Sequence, residues 1–459
     1  MRFTNLTAQI EIGANSYYLE FEDAALVLDA GLHPKNEGDA ALPQYRLIPE
    51  HKLDAILISH AHQDHIGSLP VLMRRQLQAR VFMTGPTAAL TEVMLHNSVN
   101  VMSRQREELG LGTYPLFTHR EADEFAEAWQ SVGLRQRWNL RGERVPADDG
   151  ELSFEMYHAG HILGSAGIML RAEGRKIFYT GDVNFADQTL MRKADFPDEP
   201  LDVLIVETTR GDRAVPSTFD RQAEEERFLQ AILEAFDRGG SVLIPVFALG
   251  KTQEVLTMLF QFRNRGLLKR TPVYIGGLST KVTTIHDQWA SRSDRRHAGL
   301  QLLDSLAPYV LSGREIGTTR IQSQHIYALS SGMMTEKTLS NQLAVRLLSD
   351  PQQSIFFVGY ADPDSPGGRL KAGAGRPEAP IRLDRELPEQ KLACHLEDFD
   401  FSAHSPREQI LDYICRTAPK TVVLVHGGVA SVEWFEAAIR QALPETRVVI
   451  PTPGIAYEL

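Results

Sequence analysis

Leu53-Asp54-Ala55-Ile56-Leu57-Ile58-Ser59, followed by His60-Ala61-His62-Gln63-Asp64-His65, reads as a buried strand that empties into a loop carrying three imidazoles and a carboxylate. A helix is expected next, over 68–77. Imidazole nitrogen and carboxylate oxygen are the ligands that suit Zn²⁺ in near-tetrahedral sites. The spacing lets His60 and His62 face one ion while Asp64 and His65 face another. The plainer alternative is a solvated, histidine-rich loop.

One loop cannot complete two sites, so the remaining ligands must come from elsewhere. Working outward, other chemistry-bearing residues stand where apolar runs end: Asp29 in Leu28-Asp29-Ala30-Gly31, Asp182 in Tyr179-Thr180-Gly181-Asp182, and His426 in Leu424-Val425-His426-Gly427-Gly428. His161 sits between glycines in Ala159-Gly160-His161-Ile162-Leu163-Gly164. Taken singly, each is as readily a turn aspartate or a capping histidine. Two short strands about a turn are expected over 17–29. Further strands are expected over 176–183, 201–207, 241–247, 325–330, 354–360 and 421–425, and a helix opens at Gly250 and runs to about Arg265. Strands alternating with helices predict an α/β chain. The Pro/Gly-rich segment 362–379 is expected as a link between domains.

The chain has 459 residues, 43% of them hydrophobic and 23% charged. That is the balance of a folded chain of more than one domain, and it excludes disordered and fibrous classes. No apolar run approaches the ~20 residues that span a bilayer, and Met1–Ile10 lacks a signal-peptide pattern, so no membrane partner is expected. Two cysteines, Cys394 and Cys415, cannot build a disulfide framework. A reducing, cytoplasmic setting is the expectation, with Cys394 a buried free thiol. The formal net charge of −11 counts against a purely electrostatic coat for nucleic acid. A phosphate backbone would have to be held at a local basic patch or at bound metal.

The motifs in order resemble the metallo-β-lactamase-fold hydrolases: HAHQDH at 60–65, the Gly160-His161 pair, TGD at 180–182 and the aspartate of LDAG. Val206-Glu207-Thr208-Thr209-Arg210-Gly211-Asp212-Arg213 resembles the acidic motif of the β-CASP nucleases. Pro245-Val246-Phe247-Ala248-Leu249-Gly250-Lys251-Thr252-Gln253-Glu254 resembles a segment of their inserted domain. Ser330-Ser331-Gly332-Met333 and Val358-Gly359-Tyr360 are similar to its later landmarks. Ser402-Ala403-His404 and Val425-His426-Gly427 resemble the two closing motifs.

The resemblance implies a four-layer αββα metallo-β-lactamase domain with an inserted α/β β-CASP cap. The first part would cover residues 1–208, the β-CASP domain 209–382, and the returning part 383–459. It implies a hydrolase of phosphodiester bonds with two Zn²⁺ ions, Mn²⁺ serving in vitro. His60, His62 and His161 would hold one ion, Asp64, His65 and His426 the other, and Asp182 would bridge them. Asp29 would orient ligands from behind. Glu207 and His404 would form a pair in which His404 protonates the leaving oxygen. Arg210, Lys251, Arg369, Ser330 and Ser331 are candidate contacts to substrate phosphates, whereas Arg292–Arg296 reads as a solvated charged turn. The chain departs from the family pattern at Arg210, Pro406, Gly428 and the turn 364–370.

Internal cleavage of single-stranded RNA is the leading expectation. A 5′-to-3′ exoribonuclease or a DNA nuclease of the same fold, with single-stranded DNA as substrate, is the alternative. A non-catalytic scaffold subunit of an RNA-processing complex is the alternative of another class. A small-molecule hydrolase is disfavoured by an insertion of domain size between Glu207 and His404. A homodimer is a possible assembly.

Overall fold

A computed structural model describes residues 1–146, 151–374 and 380–459. The chain divides into two compact units. The first comprises Met1–Asp187, Lys193–Val215 and Ala403–Leu459; the second comprises Gln188–Arg192 and Pro216–Ser402.

The first unit is built on two seven-stranded sheets. One runs in the order Ala456–Glu458, Arg2–Asn5, Tyr17–Glu20, Ala25–Leu28, Ala55–Leu57, Arg80–Thr84, Trp129–Val132. The other runs Arg447–Val449, Thr421–Val425, Val203–Glu207, Arg175–Tyr179, Ala166–Ala172, Ser153–His158, Arg137–Asn139. Each sheet is half antiparallel meander and half parallel: Ala25–Leu28, Ala55–Leu57, Arg80–Thr84 and Trp129–Val132 run parallel in the first. Arg175–Tyr179, Val203–Glu207, Thr421–Val425 and Arg447–Val449 run parallel in the second.

Side-chain alternation along the strands sorts the core into layers. Leu26, Leu28, Ala55 and Leu57 join Val203, Ile205, Val423 and Val425 in one cluster between the sheets. Their neighbours Val27 and Ile56 face the other way, onto Leu69, Leu72, Leu95 and Val99. These belong to the helices Leu69–Arg75 and Gly85–Leu109. Leu204, Val206, Val422 and Leu424 face Ile410, Ile414, Phe435 and Ile439, from the helices Arg407–Thr417 and Val429–Ala442. Helix, sheet, sheet, helix is therefore written into the period-two burial, and the αββα expectation is met. Truncating one of these fully buried leucines would cost ~2–5 kcal/mol through lost burial and the cavity left behind.

The second unit carries a six-stranded sheet, in the order Tyr309–Leu311, Val273–Gly276, Ile326–Leu329, Val242–Pro245, Ser354–Phe357, His395–Asp398, parallel throughout. Both faces are covered. Val242, Ile244 and Phe356 pack with Phe228, Leu256 and Leu259, while Leu243, Ile355 and Phe357 pack with Leu339, Leu343 and Leu347. Burial on two faces explains why these strands are apolar runs rather than alternating ones.

Two expectations need correction. Most of the segment read as a link is structure of the second unit: Ser365 caps the helix Pro366–Gly373 by accepting from the Gly368 N–H at 3.0 Å. Residues 375–379 of that segment lie outside the described residues. Arg295 is no member of a solvated turn. It is 1% exposed, and its guanidinium donates to the carbonyls of His286 at 2.8 Å and Leu300 at 2.9 Å. Arg292, Asp294 and Arg296 are exposed, as read from the sequence. Cys394 is a buried free thiol, pushed by burial up to about 12.

Candidate metal centre and its proton donor

Ligand candidates of the first unit gather beyond the carboxyl ends of its parallel strands, where such sheets place their sites. Asp29 follows Ala25–Leu28, the His60–His65 loop follows Ala55–Leu57, Asp182 follows Arg175–Tyr179, Glu207 ends Val203–Glu207 and His426 follows Thr421–Val425. The backbone turns sharply there. Asp29 has φ 59° and His426 φ 51°, left-handed values that non-glycine residues adopt at a cost of about 1–3 kcal/mol and that cluster at functional sites. Gly31 is held by a close approach instead. A Cβ there would stand 1.8 Å from the Asp64 carbonyl oxygen, because the 29–33 and 60–65 loops are laced together. Ala30 N–H donates to His65 O at 2.7 Å, Leu32 N–H to Gln63 O at 3.0 Å, and Asn15 N–H to Asp64 O at 2.9 Å.

Three groupings of ligand-capable atoms result here: His60, His62 and His161 with Asp182; Asp64 and His65 with His426; and Asp182 with Glu207 and His404. In the first, His62 Nδ1 lies 3.2 Å from His60 Nε2 and 3.1 Å from His161 Nε2. In the second, Asp64 Oδ2 lies 3.4 Å from His426 Nε2 and 3.8 Å from His65 Nε2. Asp182 belongs to both. Its Oδ2 is 3.5 Å from His60 Nε2 and 3.6 Å from His161 Nε2, and its Oδ1 is 3.5 Å from His65 Nε2 and 3.3 Å from His426 Nδ1.

The outer nitrogens fix which way each ring presents its lone pair. His65 Nδ1–H donates to Asp29 Oδ2 at 2.7 Å. His161 Nδ1–H donates to the Ala403 carbonyl at 2.9 Å. Ser59 Oγ–H donates to Asp29 Oδ2 at 2.7 Å, so the His60 Nδ1–H donates to Ser59 Oγ at 3.0 Å. His426 Nδ1 lies 2.8 Å from Thr209 Oγ1. The Nε2 atoms of His60, His65, His161 and His426 are thereby turned inward, the arrangement that ligating histidines take from their hydrogen-bond partners, while His62 turns its Nδ1 inward. Asp29 is fully buried and gathers two further donors, Ser59 N–H at 2.7 Å and Tyr179 OH at 2.6 Å. It is a positioning group.

These residues fit a metal. Imidazole nitrogens and carboxylate oxygens converge on common points, at the separations of ligands standing ~2.0–2.1 Å from one ion. Asp182 Oδ1 is buried and accepts no hydrogen bond among the described residues, which is costly unless a cation answers it. Burial and the neighbouring imidazoles hold His60 well below its ordinary value; burial, His404 and His62 do so for His161. Both are thus in the neutral, ligating form. At His65 burial acts downward, but the carboxylates of Asp182, Asp64 and Asp29 outweigh it and raise the ring to about 10. The pocket holds an excess of negative charge.

Beside the clusters, His404 Nδ1 lies 3.1 and 3.0 Å from the two Glu207 oxygens, and its Nε2 lies 3.9 Å from Asp182 Oδ2. Burial works against the imidazolium, yet Glu207 and Asp182 raise His404 to about 9. Glu207 is anchored in turn by the Val183 N–H at 2.6 Å. The bend at Ala403–His404 is pinned where Ser405 N–H donates to Val183 O at 2.8 Å and Phe185 N–H to Ser405 Oγ at 2.7 Å. Pro406 then serves as the extended residue before the helix Arg407–Thr417.

The substrate-contact candidates fall on both units. Arg210 is half-buried in the first unit, while Lys251, Ser330, Ser331 and Arg369 belong to the second. Lys251 is buried, its ammonium donating to the Phe401 carbonyl. Arg369 is exposed and donates to Asp364 O at 2.6 Å. Ser331 Oγ accepts from Thr335 N–H at 3.1 Å. Sequence reasoning missed Ser59, Tyr179 and Thr209, which orient the ligands. It also missed Asn15, whose Nδ2 lies 3.3 Å from His65 Nε2. Each of the first three adjoins or nearly adjoins a residue that was singled out, which is the one signal that points to them.

Comparison with known proteins gives three family-model matches in chain order. A metallo-beta-lactamase superfamily domain matches residues 18–209, a Beta-Casp domain 252–370, and a Zn-dependent metallo-hydrolase RNA specificity domain 389–451. The chain is 31% identical to cleavage and polyadenylation specificity factor 73 of Drosophila melanogaster, over 92% of this chain and 59% of that protein. It is 27% identical to the endoribonuclease YSH1 of Saccharomyces cerevisiae, over 93% of this chain and 54% of that protein. It is 28% identical to cleavage and polyadenylation specificity factor subunit 3 of Dictyostelium discoideum, over 100% of this chain and 57% of that protein. The chain thus spans between half and three fifths of the length of these relatives. A crystal structure of a protein of unknown function from Enterococcus faecalis shares the fold, with a TM-score of 0.56 at 12% identity, over 100% of this chain and 99% of that one.

Proposed function

Because the chain belongs to the metallo-β-lactamase-fold β-CASP family, we propose that it is a metal-dependent endoribonuclease cleaving single-stranded RNA. The observation that carries the reading is one carboxylate, Asp182, shared by two imidazole clusters and flanked by a charged His404–Glu207 pair. Support for RNA comes from the names of the relatives and from the RNA specificity domain matched at 389–451.

Two zinc ions are the proposed cofactor, with Mn²⁺ able to take the same ligands in vitro. His60, His62 and His161 would hold one and Asp64, His65 and His426 the other, with Asp182 common to both. When bound, the metals supply Lewis acidity toward a phosphodiester and lower the pKa of water at the site. The remaining work falls to the chain. Asp29, Ser59 and Thr209 keep the ligand rings from turning. Glu207 accepts the Nδ1 proton of His404 and so leaves the Nε2 proton facing the site. As the oxygen of a water molecule bonds to phosphorus and the phosphorus–3′-oxygen bond breaks, His404 gives that proton to the leaving oxygen, and the proton lost by the water passes to solvent. The products are a 3′-hydroxyl and a 5′-phosphate.

A circular single-stranded RNA, which has no ends, tests the reading. With zinc added, the circle is expected to be opened and then fragmented, and Asp182→Ala is expected to abolish both. If linear 5′-monophosphate RNA is degraded while the circle survives, the enzyme is a 5′-to-3′ exonuclease. If single-stranded DNA is cut and RNA is not, the substrate assignment is wrong.

A further inference from the structure

We propose a second, independent site for a divalent transition-metal ion on the first unit, formed by Glu92, His96 and Asp123 and supported by His119. It shares no residue with the strand-end centre. Glu92 and His96 lie four residues apart on the helix Gly85–Leu109, and His119 and Asp123 lie four apart on the helix His119–Ala126. That spacing sets each pair on one face of its helix. The two helices present these faces to one another. His96 Nε2 is 2.8 Å from Asp123 Oδ1, and the His96 and His119 rings stack at 5.0 Å with an interplanar angle of 17°. Glu92, His96 and Asp123 each offer a ligand atom within 4.8 Å of the others.

An imidazole with two carboxylates suits Zn²⁺ and its first-row neighbours, water completing the coordination. A second observation points the same way. His96 Nδ1 lies 2.7 Å from His119 Nδ1, and His119 Nε2 lies 3.3 Å from Asn100 Oδ1. A metal on His96 Nε2 leaves the ring's one proton on Nδ1. That proton is then donated to His119 Nδ1, and the His119 Nε2–H is donated to Asn100 Oδ1. Every ring nitrogen is satisfied by the tautomer that metal binding imposes, as the outer hydrogen bonds of ligating histidines commonly arrange. The frame is already fixed. Thr118 and Glu121 form a capping box at the start of the shorter helix, and Arg74 pairs with Glu121 at 2.6 Å. The site would clamp one helix to the other, and binding to the folded state alone raises stability.

The test uses the full chain, stripped with chelator and titrated with Co²⁺ by visible absorption and with Zn²⁺ by calorimetry. His96→Gln and Asp123→Asn are each expected to bind one ion fewer than wild type at saturation. RNA cleavage should stay within about twofold of wild type, since neither residue belongs to the strand-end centre. His119→Gln is expected to keep the count but weaken that one site ~10–100-fold. Equal ion counts and unchanged affinities in wild type, His96→Gln and Asp123→Asn, all with the same circular dichroism, would overturn the site. A loss of cleavage in His96→Gln with its full ion count retained would equally count against it.

Discussion

His404 is the side chain whose role separates most cleanly from metal binding. Its Nδ1 is tied to Glu207 and it lies outside the proposed ligand set, so His404→Ala is expected to retain the metal content of wild type. Its turnover should fall ~10²–10⁴-fold, the usual contribution of a general acid. Near-normal turnover on a substrate with a poor leaving group would remove that role. Gly31→Ala makes the opposite prediction: a new Cβ 1.8 Å from the Asp64 carbonyl pushes the ligand loop aside. A displacement of ~1 Å can cost ~10²-fold, and metal content should fall with it. Gly112→Ala, where an added Cβ meets nothing within 4 Å, is the matched control. The positions that gather here could be read because they carry imidazole and carboxylate in short motifs at strand ends. The groups that aim them could not. Ser59, Tyr179 and Thr209 are ordinary residue types whose task appears only when Asp29 and His426 are brought within hydrogen-bond reach of them.

Individual elements follow the same logic of burial. His286 lies inside the helix Leu278–Gln288 and is 1% exposed, and neither ring nitrogen has a hydrogen-bond partner among the described residues. Burial, with the Arg295 charge adding to it, lowers its pKa from 6.5 to about 3. An unfolded chain therefore takes up the proton first as pH falls, and stability declines from about pH 6.5 toward 3; above 6.5 this contribution is constant. His286→Leu is expected to flatten the fall in urea midpoint across that window, where each pH unit is worth up to ~1.4 kcal/mol. Parallel pH curves for the two proteins would show that the proton is not excluded. The strands expected within 17–29, 53–59, 201–207, 241–247 and 421–425 are found at Tyr17–Glu20, Ala25–Leu28, Ala55–Leu57, Val203–Glu207, Val242–Pro245 and Thr421–Val425, legible because continuous or alternating apolar runs mark them. The helix Gly85–Leu109 was not. Its buried positions include Thr87, Thr91 and Ser98 beside Leu90, Leu95 and Val99, so polar side chains interrupt the apolar stripe. Its ends are nevertheless well marked. Thr84 accepts from the Thr87 N–H, and Gly110 closes the helix at φ 68°.

At the scale of the whole molecule, the proposed ligand set predicts that metal and fold are coupled in the first unit and not in the second. Chelation is expected to release at least two zinc ions and to speed amide hydrogen exchange in the loops 59–65, 159–165 and 426–428. The parallel sheet of the second unit, with no residue in the paired clusters, should keep its protection. Equal acceleration in both units would show that the ions stabilise more than the loops that hold them. The order of the sheets has a further consequence, for how the chain is made. Val203–Glu207 lies between Arg175–Tyr179 and Thr421–Val425, and the whole second unit is translated between these two neighbours. A ribosome therefore completes the strands from Val242–Pro245 to His395–Asp398 while Val203–Glu207 still lacks its partner, and before His404 and His426 exist. The nascent chain passes through a stage in which the later-encoded unit can fold and the earlier-encoded one cannot close. Until Thr421–Val425 is made, Val203–Glu207 offers an open sheet edge ready for aggregation, and on the proposed ligand set the metal can be completed only after that, once His426 has left the ribosome.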